Sequence, residues 1–111
     1  MHPALAAFPS QHCFGGLLRS GVASAARAPA RGLAWPSAGV PVAFLPLQGS
    51  ERPDGSSFTN QDEAEAVLEL LDGALAAGDL RPGEVGIVTP YAAQARLLRA
   101  LLDERGPRAA A

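Results

Sequence analysis

Val-Gly-Ile-Val-Thr-Pro-Tyr, residues 85–91, is the stretch that decides the fold. Its first four residues are uncharged and mostly β-branched, which is typical of a strand covered on both faces of a sheet. Thr89 and Pro90 are the residue types that cap a helix and occupy its first position. The stretch therefore predicts a strand over 85–88 that runs directly into a helix.

Two amphipathic helices surround this strand in the sequence. The first is expected to begin at Asn60, whose side chain can cap free amides while Glu63 closes a capping box, and to end at Gly78. The second follows Thr89 and ends near residues 104–106. The 3.6-residue period places these residues on the buried face of the first helix: Ala64, Val67, Leu68, Leu71 and Leu75. The corresponding stripe of the second helix comprises Ala93, Leu97, Ala100 and Leu101.

Upstream of these elements lies a second apolar run, residues 41–47, between turn-forming residues, which is typical of another buried strand. The polar residues 49–57 predict a turn and a surface loop. Strand, helix, strand and helix in this order predict a right-handed crossover, a parallel sheet and an α/β fold. The predicted organisation is an amino-terminal helix and connecting loop over 1–40, a core over 41–106 and a tail over 107–111. The amino-terminal helix is expected to start at Pro3 and to end at Pro9. Trp35 is expected to anchor the connecting loop against the core.

The composition and the net charge exclude several classes of function. The chain has 111 residues, with 9 Lys and Arg against 11 Asp and Glu, and a net charge of −2. This balance argues against a protein that binds nucleic acid through bulk positive charge, so any such contact must be local. The single cysteine excludes an internal disulfide, and no Cys/His cluster has metal-ligand spacing. No apolar run approaches the ~20 residues of a membrane helix. We expect a soluble chain without metal or membrane contacts, although an acid-free amino terminus leaves a transit peptide open.

Chemistry is expected where the 85–88 strand meets its helix. Ligands collect at the carboxyl ends of parallel strands, and the free amides of a helix start favour a phosphate. Thr89 offers a hydroxyl, Tyr91 a ring for a base or sugar, and Gln94 an amide one turn on. The structural alternative is that Thr89 caps, Pro90 starts the helix and Tyr91 packs.

Other polar residues are better explained without a ligand. The capping box accounts for Asn60 and Glu63. Cys13 and the neighbouring His12 lack a third, orienting group, so we expect Cys13 to be a small buried apolar residue. Four arginines are candidate phosphate contacts, although the simpler expectation is that their side chains are solvated at the surface: Arg27, Arg31, Arg96 and Arg99. The chain contains no lysine and no P-loop, so we expect that it cannot hydrolyse ATP in the usual way by itself.

A series of short motifs runs through the chain in a fixed order. Met1-His2-Pro3 is followed by Phe8-Pro9-Ser10, then Trp35-Pro36, then Asn60 with Glu63-Ala64, and finally residues 85–91 with Gln94. In order and spacing they resemble superfamily 1 helicases of the up-frameshift type, the RNA-dependent ATPases of nonsense-mediated decay. That family has Gln-Tyr-Arg-Met-His-Pro, Phe-Pro-Ser, Asn-x-x-Glu-Ala and Ile-Gly-Ile-x-Thr-Pro-Tyr-x-x-Gln at these places. Cys13-Phe14 replaces its usual Phe-Tyr.

The resemblance implies that the chain is an incomplete second RecA-like domain, a P-loop NTPase-type parallel sheet with flanking helices. Such a domain closes on ATP held by the first RecA-like domain and steps along a single strand. The resemblance also implies ATP and Mg as cofactors of the complete enzyme, with none bound by this chain alone. The implied partners are single-stranded RNA or DNA and the missing first RecA-like domain, in the cytoplasm or nucleus. Thr89, Pro90, Tyr91 and Gln94 are the expected nucleic-acid contacts, with Thr89 toward a phosphate.

Several family motifs have no counterpart in this sequence: Gln-Tyr-Arg, the P-loop, the Asp-Glu metal motif, Gln-Gly-x-Glu and the final arginine motif. Whether the chain is itself an ATP hydrolase therefore stays open. The alternative function is a non-catalytic α/β interaction module derived from such a helicase. Because two core strands leave sheet edges unpaired, we expect marginal stability.

Overall fold

The computed structural model describes residues 1–106, and the tail predicted over 107–111 lies outside the described residues. The chain divides into two compact units, Met1–Leu45 and Pro46–Ala111. The division falls inside the apolar run 41–47. Each unit is described by itself below.

The first unit is built around helix α1, Pro3–Cys13. Its amino end is capped by His2, whose Nδ1 accepts a hydrogen bond from the Ala4 amide at 3.0 Å. The prediction that Pro9 ends this helix is wrong, because Pro9 lies inside it. A proline has a helical φ and removes one backbone hydrogen bond, a loss that this helix tolerates. The helix ends instead before Gly16, whose amide bonds the Ser10 carbonyl at 2.7 Å.

The rest of the first unit is mostly irregular in the described residues. A 3-10 turn spans Ser24–Arg27. The half-buried Trp35 donates from Nε1 to the Ala30 carbonyl at 2.7 Å. Trp35 therefore anchors the loop to its own neighbours in the sequence.

The second unit begins with a β-hairpin where the sequence predicted a loop. Strands β1, Glu51–Asp54, and β2, Ser57–Asn60, pair antiparallel with Asp54 opposite Ser57. Gly55 occupies the first position of the two-residue connection with a φ of 61°, the backbone that a type II′ hairpin turn requires. The predicted turn is confirmed at Gly55. The predicted loop over 49–57 is wrong, because the turn connects two short strands.

Two helices complete the second unit. Helix α2, Gln61–Ala76, begins after Asn60, and Gly78 follows its end with a φ of 75°. Both predicted limits of α2 are confirmed. Helix α3 spans Ala92–Glu104, and a 3-10 turn, Pro82–Glu84, lies between the two helices.

The buried faces of the helices agree with the predicted period only in part. In α2, Ala64 and Leu68 are fully covered and Leu71 is half-buried. In α3, Ala93 is buried as predicted, but Ala100 is exposed. The residues that α3 buries are Ala93, Gln94 and Leu98. The stripe therefore includes a polar residue that a hydrophobic pattern cannot select.

The predicted parallel sheet is absent from the described residues. Neither 41–47 nor 85–88 forms a strand, and the described sheet is the two-stranded hairpin. Val85 has extended dihedrals (φ −111°, ψ 128°), yet Val88 is 95% exposed. β-branched composition reports a fit to neighbouring strands rather than an intrinsic backbone preference, so an extended segment without a neighbour remains a single ribbon. The α/β class holds in the coarser form of three helices and a small antiparallel sheet.

In the described part of the chain, no helix has the length and apolarity to cross a bilayer.

Candidate nucleic-acid interface

Thr89, Pro90, Tyr91 and Gln94 line one cleft of about 210 Å³ in the second unit. The cleft, called the aromatic cleft below, lies among the β1–β2 hairpin, the first two turns of α2 and α3, and residues 87–91 before α3. The sequence singled out these four residues, and the structure brings them together. The other lining residues are Glu51, Phe58, Thr59, Asn60, Glu63, Val67, Ile87, Val88 and Leu98.

An aromatic pair gives this cleft its name. The rings of Phe58 and Tyr91 meet edge to face, with centroids 5.7 Å apart and planes at 76°. This geometry is the favoured one for two aromatic rings and holds both in place. Phe58 is 39% exposed and Tyr91 41% exposed. The sequence patterns did not single out Phe58, because the polar residues 49–57 before it predicted a loop rather than a strand.

Thr89 does not cap α3, contrary to the sequence-based prediction. The helix begins at Ala92, and Tyr91 occupies the cap position without a side-chain hydrogen bond. The Thr89 hydroxyl accepts a hydrogen bond from the Tyr91 amide at 3.3 Å, a local turn that competes with helix formation. Since a hydroxyl also carries a donor, Thr89 can still donate to a ligand.

The start of α3 is held by the hairpin. The Ala93 amide donates to the Ser57 hydroxyl at 3.2 Å, across 36 positions of the sequence. A free helix amide that was expected to favour a phosphate is therefore occupied. The Ser57 contact could not be predicted from local sequence patterns, because the two residues are distant in the chain.

Gln94 lines the cleft and also binds the backbone of Asn60. Its Oε1 accepts from the Asn60 amide at 2.8 Å and its Nε2 donates to the Asn60 carbonyl at 2.9 Å. Both residues are buried. The cap of α2 is confirmed, since Asn60 Oδ1 accepts from the Glu63 amide at 3.1 Å. The second half of the predicted capping box is wrong, because Gln94 takes the Asn60 amide that Glu63 was expected to bind.

The charges around the cleft are acidic. Among the described residues that line it, Glu51 and Glu63 carry a formal charge. Arg96 does not line the cleft, and its Nη2 pairs with Asp54 Oδ2 at 3.0 Å. A phosphate inside the aromatic cleft would therefore face two carboxylates.

Thr89 also lines a second surface of the same unit. A groove of about 330 Å³, called the apolar groove below, lies between residues 82–89 and the helices α2 and α3. Its walls include Leu71, Leu98 and the guanidinium-bearing Arg99. Thr89 thus borders an acidic, aromatic cleft and an apolar groove that carries one cation.

An exposed ion pair lies near the 3-10 turn. Arg81 binds Glu84, with Nη2 3.2 Å from Oε1. The hydrogen bond from the Arg81 side chain lowers the pKa of the Glu84 carboxyl, and the same contact raises the pKa of Arg81. Both side chains are open to solvent, so this pair is a surface feature.

The remaining candidates of the first unit form no catalytic arrangement. Cys13 is exposed, which makes its predicted burial wrong, because it ends α1 beside a glycine turn. The His12 ring packs against the Phe8 ring, with the two ring centroids 4.4 Å apart. Within residues 1–106 no group of three His, Cys, Asp or Glu side chains could hold a metal ion.

Comparison with known proteins decides the family. The sequence model of a family described as an AAA domain matches residues 1–110. The regulator of nonsense transcripts 1 homolog of Drosophila melanogaster is 37% identical to the chain over 108 residues. The chain belongs to the up-frameshift-type helicase family. Membership implies a P-loop-type fold for the domain.

Two yeast relatives match over a similar stretch. The ATP-dependent helicase NAM7 of Saccharomyces cerevisiae is 33% identical over 97 residues, which is 85% of the chain and 10% of that protein. The Drosophila protein is matched over 96% of the chain and 9% of its own length. The ATP-dependent helicase upf1 of Schizosaccharomyces pombe is 31% identical, with 96% of the chain covering 12% of it. The chain spans about a tenth of the length of these relatives.

Proposed function

We propose that the chain is part of the second RecA-like domain of an ATP-dependent RNA or DNA helicase, and that it contributes to the single-strand channel. One observation carries the proposal: Thr89, Pro90, Tyr91 and Gln94 line a single cleft that exposes an aromatic pair. Exposed aromatic rings are the usual support for unpaired bases. The cleft therefore has the chemistry of a single-strand contact.

Each of the four residues has a role in this proposal. The Thr89 hydroxyl donates to a backbone phosphate on the side of the apolar groove, where Arg99 adds a positive charge. The Tyr91 ring supports a base or sugar. Pro90 restricts the backbone between them, since its φ is fixed. Gln94 is a positioning residue, because both polar atoms of its side chain bind Asn60.

ATP chemistry is assigned to the complete enzyme. The sequence contains neither a lysine nor a P-loop, so ATP and Mg are proposed to be held with the first RecA-like domain. The activity stated in the names of the yeast relatives, ATP-dependent helicase, is proposed for that whole protein. A cytoplasmic or nuclear location is part of the same proposal.

The test is titration of a fluorescein-labelled 12-nucleotide RNA with the 111-residue chain, followed by anisotropy at low salt. Tyr91→Ala is expected to weaken binding about fivefold to tenfold, the low end of the loss for one base–aromatic contact. Thr89→Val, which removes the hydroxyl at constant shape, is expected to weaken it about threefold, a lost hydrogen bond of modest strength. Phe44→Ala is the control, because Phe44 is 87% exposed and lies in the other unit. Equal affinity of wild type and Tyr91→Ala would refute the channel assignment.

A non-catalytic interaction module is the second candidate, and the exposed apolar run favours it. Four large side chains between residues 42 and 47 are about half-exposed or more: Val42, Phe44, Leu45 and Leu47. Large apolar side chains that stay exposed to solvent are typical of protein contacts. This candidate predicts cooperative thermal unfolding of the chain together with no binding of single strands.

A further inference from the structure

The aromatic cleft and the apolar groove offer different chemistry on either side of Thr89. The cleft has the ring pair and two carboxylates, whereas the groove has Arg99. A nucleotide also has two unlike parts, an anionic phosphate and a flat, uncharged base. The phosphate and the base are therefore expected to bind to different surfaces.

Electrostatics assigns the base to the aromatic cleft. Glu51 and Glu63 line it, and in the described residues neither is paired with an arginine. Two charges of like sign a few ångströms apart repel each other even in bulk water. A phosphate is therefore disfavoured in the cleft, and an uncharged base is not.

The ring pair provides the surface on which a base can lie. In an edge-to-face pair each ring covers little of its partner, and both Phe58 and Tyr91 keep about two fifths of their surface exposed. Stacking on such rings tolerates any base, because every base has a π-face. Stacking alone therefore gives affinity without base preference.

The carboxylates add a preference. A carboxylate is an acceptor without a donor, and it pairs with the exocyclic amino group of a base, as with N4 of cytosine. Uracil presents a carbonyl oxygen at the same position, which faces a carboxylate as acceptor against acceptor. We propose that the aromatic cleft binds a base carrying an exocyclic amino group in preference to uracil, with Glu51 and Glu63 as the acceptors. This inference rests on the proposed function.

Two matched RNA strands test the preference, because cytosine and uracil have the same ring size. Labelled 12-nucleotide oligocytidine and oligouridine are titrated with the chain at pH 7.5 and constant salt. Wild type is expected to bind oligocytidine about fivefold more tightly, the low end for a base-specific contact at an exposed site. The double variant Glu51→Gln with Glu63→Gln is expected to bind both strands equally, since an amide can also donate to the uracil carbonyl.

A second double variant controls for net charge. Glu69→Gln with Glu104→Gln makes the same charge change at exposed positions that do not line the cleft. It is expected to tighten binding of both strands and to keep their ratio. A preference that survives in the cleft variant, or that disappears in this control, would overturn the assignment to Glu51 and Glu63.

The other outcomes separate this inference from the proposed function. Equal binding of both strands by wild type, with Tyr91→Ala still weaker, would overturn the base preference and leave the channel assignment standing. Binding of neither strand would overturn both. Binding of a labelled arginine-rich peptide in place of both strands, lost in the cleft variant, would show that the carboxylates receive a cation, and would also overturn the inference.

Discussion

Replacing Gln94 by leucine should destabilise the second unit by about 2–4 kcal/mol. The side chain makes two hydrogen bonds to the backbone of Asn60, at 2.8 and 2.9 Å, and both residues are buried. Leucine has a similar volume, so the change removes polarity rather than packing. The Asn60 amide then loses its partner in a buried position, which costs about 1–3 kcal/mol, and loss of the second bond adds about 1 kcal/mol. The Asn60 carbonyl keeps its bond in the first turn of α2, as helix cap residues do.

Urea unfolding followed by circular dichroism at 222 nm measures this loss. With a slope of about 2 kcal/mol per molar urea, which is usual for a small protein, the midpoint should fall by about 1–2 M. Gln61→Leu is the matched control, because Gln61 is exposed and its side chain bonds Glu65 on the surface of α2. That variant should change the midpoint little, as surface substitutions do. If the two variants shift the midpoint equally, the Gln94 hydrogen bonds do not hold the hairpin to α3.

Two further predictions concern contacts of smaller extent. Gly49→Ala should destabilise the second unit by about 1–2 kcal/mol, because a Cβ at Gly49 would lie 2.8 Å from Asn60 Oδ1 and 3.0 Å from Nδ2 and would disturb the cap of α2. Thermal melts of Gly49→Ala and Gly83→Ala test this, since a Cβ at Gly83 meets nothing within 4 Å; equal melts would contradict the steric argument. Arg81→Ala should raise the pKa of the Glu84 carboxyl toward its ordinary range, because Arg81 lowers it through hydrogen bonds. A folded-state pKa below the unfolded one stabilises above the unfolded pKa and loses that effect as pH falls through the folded value. A carbon-detected NMR titration of Glu84 measures the change, with Arg52→Ala as control, and an unchanged Glu84 pKa in Arg81→Ala would refute it.

Local signals in the sequence were sufficient for the second helix. Asn60 caps α2 and Gly78 follows its end, because capping and left-handed termination depend on the nearest residues. The same reasoning failed for Pro9, where a local rule predicted a stop inside α1. It also failed for residues 85–88, because a strand requires a partner segment and its own composition cannot supply one.

The four candidate residues could be named from the sequence, but the residues that surround them in the structure could not. Thr89, Pro90, Tyr91 and Gln94 are close in the chain, so any fold that starts a helix there brings them together. Most of the other residues that line the cleft come from the hairpin and α2. Ser57 and Asn60 of the hairpin bind α3 across 36 and 34 positions of the sequence. Such contacts follow from the tertiary arrangement. They explain why Gln94, expected as a ligand contact, has its polar atoms engaged within the protein.

The proline inside α1 has a consequence for how that helix melts. Without an amide hydrogen on Pro9, the Leu5 carbonyl has no donor four residues ahead, so the backbone ladder is interrupted in mid-helix. On the amino side the first turn is fastened by His2, and on the carboxyl side the last turn is closed by Gly16 on Ser10. Each end of α1 is thus closed by a hydrogen bond of its own. Fraying of one turn therefore need not spread to the other, and α1 behaves as two short coupled segments rather than as one cooperative rod.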